Sequence, residues 1–106
     1  VVVAGELVFT AGQVAVDRTG ALVAGEVATQ TRVVLDNLER CLAAAGATLD
    51  DVVKVTAFLA DLAEFEAFNA VYAERFRPPY PARSTVGARL AEGILVEVEA
   101  VARRPG

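Results

Sequence analysis

Two apolar stripes at helical spacing, set among short β-rich runs, constrain this chain more than any other feature in it. Val27, Gln30, Val34, Leu38, Leu42 and Ala45 recur by threes and fours, which traces the inner face of a helix over about 25–45. Gly46 follows as a residue suited to a left-handed helix stop. Phe65, Phe68, Tyr72 and Phe76 form the second stripe, and they read as core packing. Asp61 and Glu64 open that helix with the spacing of a capping box, and Pro78-Pro79 closes it. Around the stripes, 1–3 and 7–10 read as a tight hairpin. Gly12 marks a bulge or a close backbone approach, 13–16 continue as a third strand, and 17–20 turn. A further strand covers 52–59, with Val53, Val55, Ala57 and Leu59 on one face and Lys54 and Thr56 on the other. The last two strands cover 84–88 and 95–102. The order β-β-β-α-β-α-β-β predicts one α+β domain over 1–106, a mixed sheet with both helices on one face.

Such a sheet leaves its other face bare. A chain of 106 residues buries about two-thirds of its surface, yet 55% of this one is apolar. The surplus points to a subunit interface, since obligate interfaces resemble a core cut in half. A membrane helix does not account for it: no apolar run approaches ~20 residues, and Asp17, Arg32 and Lys54 interrupt the candidates. A net charge of −4, with Arg103-Arg104 the one basic doublet, argues against a nucleic-acid surface. Absence of histidine excludes a His-based triad or metal site, and one cysteine excludes an intrachain disulfide and a structural zinc site. Cys41, on the apolar side of its helix, reads as a packed thiol in a reducing compartment. No signal or transit peptide is visible, so a cytoplasmic location is expected.

Charge inside the last two strands carries the chemical signal. Tyr80-Pro81-Ala82-Arg83-Ser84-Thr85-Val86 places an arginine at the start of one, and Ile94-Leu95-Val96-Glu97-Val98-Glu99-Ala100 places two carboxylates in the other. Such charges are costly unless paired or used on a ligand. The two segments are close enough in sequence to be hairpin neighbours, which would bring a guanidinium and a carboxylate together. From the residues alone, Arg83 is a salt-bridge residue or a ligand clamp. Glu97 and Glu99, sharing a face by period two, are a solvated strand face or part of a site.

The pattern Pro81-Ala82-Arg83-Ser84-Thr85-Val86 followed by Val96-Glu97-Val98-Glu99 resembles the Rid family, also called YjgF, of reactive-intermediate deaminases. Thr10-Ala11-Gly12-Gln13, Leu35-Asp36-Asn37-Leu38, Val53-Lys54-Val55-Thr56 and 65–72 with Asn69 match in the family's order, so the resemblance covers nearly the whole chain. It implies a chorismate-mutase-like fold, a homotrimer whose sheets close into a barrel, and active sites in the clefts between subunits. It implies hydrolysis of enamines and imines, such as 2-aminoacrylate, to 2-keto acids and ammonia, with no metal or organic cofactor. Residue by residue, Arg83 matches the arginine that grips the substrate carboxylate, a task suited to a planar fork. Thr85 matches a position whose backbone N–H helps hold that carboxylate. Gly12 matches a glycine lining the pocket, Asn69 a pocket-proximal asparagine, and Glu97 the glutamate that activates water; Glu99 reads as structural. Members commonly carry a Gly-Pro-Tyr segment upstream of Thr10 whose tyrosine lines the pocket. No residue here matches it: either a segment upstream of Val1 carries that tyrosine or this member lacks it. The alternative function is a non-enzymatic protein that binds 2-keto acids in the same cleft. A chorismate mutase would need several cations where only Arg83 stands out, and the RNA cleavage linked to some relatives sits poorly with the acidic balance and absent histidine.

Overall fold

The computed structural model describes residues 1–105. Strands β1 (Val2–Ala4) and β2 (Leu7–Phe9) form the expected hairpin, with Gly5 at φ +60° in the turn, a left-handed value that glycine adopts without a Cβ penalty. Helix α1 (Val27–Ala43) follows a long loop, then β3 (Val52–Leu59), helix α2 (Phe65–Arg75), β4 (Ala82–Gly87) and β5 (Val96–Arg103). Gly46, at φ +78°, ends α1 as expected, with the Ala47 N–H turned back onto the Leu42 carbonyl.

The five strands make one sheet in the order β1-β2-β5-β3-β4. β3 and β4 are parallel, joined by the α2 crossover, and the other neighbours are antiparallel. Both helical stripes go to one face. From α1 come Val27, Val34, Leu35, Leu38 and Leu42, from α2 Phe68, Val71 and Tyr72, all buried against Val8, Val55, Ala57, Leu59, Val96, Val98, Ala100 and Ala102 of the sheet. Each fully buried Leu, Val or Phe here contributes about 1.5–3 kcal/mol of transfer free energy. Gln30, in the middle of the α1 stripe, is completely buried because both ends are used. Its amide nitrogen donates to the Val23 and Gly93 carbonyls at 3.2 and 2.8 Å, and its oxygen accepts from the Leu95 N–H at 2.8 Å. Arg75 ties α2 to α1 through Asp36 at 3.0 Å and Glu39 at 2.9 Å. Cys41 is half-buried on α1.

The opposite face carries no helix. It presents Phe9, Lys54, Thr56, Phe58, Ser84, Val86, Glu97, Glu99 and Val101, and Phe9 and Val86 are 41% and 42% exposed. No helix among the described residues is long and apolar enough to cross a membrane.

Four expectations change. The third strand at 13–16 is reduced to two isolated bridges, Gln13 to Val98 and Val16 to Leu22. The stretch from Phe9 to Gln13 holds one residue more than the stretch of β5 it faces, so a bulge at 10–12 breaks the ladder. A second bulge, between Val52 and Lys54, shifts the phase of β3: Val52 is buried and Val53 is 47% exposed, the reverse of strict alternation. Asp61 caps through its side chain onto the Ala63 N–H at 2.9 Å, but what it opens is a 3-10 turn, Leu62–Glu64, ahead of α2. The reciprocal capping box is instead at Thr48 and Asp51. Finally, β4 and β5 are not neighbours, because β3 lies between them. A β-α-β unit sets its two strands side by side and parallel, so β4 docks on β3. β5, with four residues buried at period two, takes the inner place between β3 and β2, and the Arg-Ser-Thr strand takes the edge.

Candidate functional site

Arg83 pairs with Val55, and Thr85 with Ala57, so both side chains project from the helix-covered face, under α2. On α2, Phe65, Phe68, Asn69 and Tyr72 lie three and four apart and share one side of the helix. They make a frame around the guanidinium. Arg83 Nη1 donates to Asn69 Oδ1 at 2.8 Å. Arg83 Cζ stands 4.4 Å from the centre of the Tyr72 ring, 5.5 Å from Phe65 and 5.6 Å from Phe68. Among the described residues no carboxylate pairs with it; the ion pairs join Arg75, Arg77 and Arg103 to Asp36, Glu39, Asp50 and Glu6. A half-buried cation is thus met by three ring faces and one amide oxygen, and most of its N–H donors stay unclaimed. Two further polar atoms are buried here without a hydrogen-bond partner, the Tyr72 hydroxyl and Thr85 Oγ1. Burial holds the Tyr72 phenol above its ordinary value of 10.0, opposed in part by the Arg83 charge.

Glu97 pairs with Phe58 and projects from the other, uncovered face. Its carboxylate lies on Gly12. A Cβ built on Gly12 would stand 3.0 Å from Glu97 Cδ and 3.1 Å from Cγ, and would overlap Oε2. This is the close approach expected of that glycine, and the bulge delivers it. Immediately after Gly12, the Gln13 N–H donates to the Val98 carbonyl at 2.8 Å, and the Val98 N–H returns a bond to Gln13 at 3.0 Å. Asn37 of α1 then holds the loop from the helix side, its amide donating to the Val14 and Val16 carbonyls at 3.0 and 2.9 Å.

The sequence-derived residues therefore form two clusters, Arg83 with Asn69 and Thr85, and Glu97 with Gly12. They do not meet within one chain, as hairpin neighbours would have. With β3 between them and three residues of offset, strand spacing and rise put Arg83 and Glu97 about 14 Å apart at Cα, facing opposite ways. A concavity of about 470 Å³ between Glu26, Ala60, Asp61 and Leu95 contains neither cluster. No group of three or more His, Cys, Asp or Glu among the described residues is gathered to hold a metal ion. Tyr72 was the residue missed: read as core, it is the ring closest to Arg83, and its place three residues beyond Asn69 was the available signal.

A sequence model of the endoribonuclease L-PSP family matches residues 1–104. A RutC family protein of Pyrococcus horikoshii is 46% identical over 101 residues, 93% of this chain and 80% of that protein. The 2-iminobutanoate/2-iminopropanoate deaminase of Salmonella typhimurium is 40% identical over 104 residues, 94% of this chain and 81% of its own. Among solved structures, the yjgF gene product of E. coli superposes with a TM-score of 0.88 at 38% identity, covering 98% of this chain and 85% of that one. E. coli TdcF with bound serine does so with a TM-score of 0.88 at 37% identity, again over 98% and 85%. On the strength of the matched length, the sheet order and these identities, the chain belongs to the endoribonuclease L-PSP family, the Rid/YjgF family that its strand motifs resemble.

Proposed function

We propose that the protein hydrolyses small 2-imino acids, with their enamine tautomers, to 2-keto acids and ammonia, in a site completed by a second copy of the chain. One observation carries this reading: Arg83 is a half-buried guanidinium with its fork open and no carboxylate of its own. A cation kept in that state is suited to an anionic ligand, and a planar fork suits a carboxylate. The Salmonella relative named for this reaction, and the serine held by E. coli TdcF, agree with a small amino-acid-like substrate.

The chemistry needs little more. Arg83 holds the substrate carboxylate, with the Thr85 backbone beside it. Asn69 keeps Nη1 occupied, so the fork presents its remaining edge. Water adds to the carbon of the protonated imine while the Glu97 carboxylate accepts one water proton, giving a carbinolamine. Glu97 returns that proton to nitrogen, the C–N bond breaks as the C=O bond forms, the hydroxyl proton passes through Glu97 to the departing ammonia, and ammonium and the 2-keto acid leave. Because Glu97 and Arg83 of one chain face opposite sides of the sheet, the Glu97 that serves a given Arg83 comes from a neighbouring subunit. The uncovered face, with its exposed Phe9 and Val86, is the surface on which copies would pack, and a homotrimer closed through it fits the apolar surplus.

The experiment is ammonia release from 2-imino acids generated in situ by an amino-acid oxidase, across several amino acids. Acceleration over the buffer rate, abolished by Arg83→Ala, supports the reading. A protein that binds 2-oxobutanoate but never accelerates ammonia release is a binder, and one that does neither overturns the assignment of Arg83.

A further inference from the structure

We infer that Tyr72 is a positioning residue for Arg83: its ring sets the plane of the guanidinium, so that the open edge of the fork meets a substrate carboxylate already oriented. The inference rests on the reading of Arg83 as the carboxylate clamp. A planar fork has two soft motions to restrain. The bond from Nη1 to Asn69, at 2.8 Å, fixes one nitrogen but leaves the group free to tilt about that contact. A ring face removes the tilt. Three rings surround Arg83, and Tyr72 is nearest, 4.4 Å from Cζ against 5.5 and 5.6 Å for Phe65 and Phe68.

Tyr72 is also braced. Phe76 stacks on it at 4.4 Å and 27°, Phe68 meets it at 5.6 Å and 39°, and the residue is only 5% exposed. A ring so held transmits the rigidity of the core to the guanidinium above it. Its hydroxyl has no hydrogen-bond partner of ordinary distance and angle, so its hold on Arg83 is through the ring face. The Phe65 and Phe68 rings stand farther from Cζ, and neither is stacked from behind in the same way.

The test uses the full chain labelled with nitrogen-15, its Arg83 Nε–H resonance identified by its loss in Arg83→Lys. In the unsubstituted protein that resonance is expected to be displaced by the ring current of Tyr72. It should stay displaced in Tyr72→Phe and lose the larger part of its displacement in Tyr72→Leu, where only the farther Phe65 and Phe68 rings remain. In parallel, affinity is measured for 2-oxobutanoate and for its uncharged amide. Tyr72→Leu is expected to weaken the acid by roughly 3- to 30-fold, the worth of a desolvated cation–π contact, while Tyr72→Phe stays within about 2-fold of the parent. The amide should bind the three proteins alike. Equal weakening of acid and amide would mark Tyr72 as structural packing and overturn the inference. So would an undisplaced Arg83 resonance in the unsubstituted protein, a measurement that stands even if Tyr72→Leu does not fold. A parent protein that shows the displaced resonance yet binds no 2-keto acid would overturn the clamp and leave the ring's role standing, so the two failures are told apart.

Discussion

Replacing Gly12 with alanine puts one methyl group where the Glu97 carboxylate now lies. The new Cβ would stand 3.0 Å from Glu97 Cδ and 3.1 Å from Cγ, and would overlap Oε2. Gly12 is not among the glycines with positive φ, so the backbone accepts alanine without strain, and the atom in the way is the end of a flexible side chain. The carboxylate swings aside by on the order of 1 Å, at a rotamer cost of about 0.5–1.5 kcal/mol. Alanine in place of glycine returns about 0.4–1 kcal/mol through the unfolded chain, so net stability should hold. Catalysis should not: a misplacement of about 1 Å costs on the order of 10²-fold, near 2.7 kcal/mol of transition-state stabilisation. The assay is kcat/KM for ammonia release, with a urea titration beside it. The decisive arm is a double-mutant cycle. If the methyl group acts through Glu97, Gly12→Ala should do little in a Glu97→Ala background, and 2-oxobutanoate affinity, held by Arg83, should not move. An equal loss of activity from Gly12→Ala with Glu97 absent as with it present would refute an effect through Glu97, since the methyl would then be blocking the pocket itself.

Arg83→Lys should lose most imine hydrolysis while the fold survives, because a point charge cannot replace a bidentate, planar grip worth a few kcal/mol; near-normal kcat/KM in that variant rules out the clamp. Glu97→Gln keeps shape and removes charge, so turnover should fall by about 10²–10⁴-fold while 2-oxobutanoate still binds, as calorimetry can check. Sedimentation or light scattering should give a homotrimer, and a stable monomer at micromolar concentration would leave each Arg83 without a Glu97. Asn37→Leu removes both amide bonds to the loop, leaving the Val14 carbonyl with the Val16 N–H alone and the Val16 carbonyl without its Asn37 donor, and should cost about 1–3 kcal/mol in urea unfolding, with loss of activity as the Gly12 loop loosens. The Tyr72 phenol binds its proton more tightly in the folded state, so its contribution to stability is full below pH 10.0 and is lost as pH rises further; Tyr72→Phe should lack that alkaline loss in unfolding measured against pH.

The sequence by itself determined what depends on local order. Two stripes of spacing three and four specified both helices and their buried faces, because a helix repeats its surface every few residues. The limits of β3, the first hairpin, the stop at Gly46 and the tight approach at Gly12 were legible for the same reason. Strand order was not. Arg83 and Glu97 are closer in sequence to each other than either is to β3, yet β3 lies between them, because the crossover through α2 pairs β4 with β3 and the alternating burial of β5 carries it inward. Phase was legible only in part. One extra residue near Gly12 and another at Val53 turn side chains to the opposite face; Gly12 marks the first bulge, but nothing in the local residues around Val53 announces the second. The division of the candidate site into two clusters on two faces follows from those non-local choices. So does the conversion of Tyr72 from one member of an apolar stripe into the ring beneath Arg83.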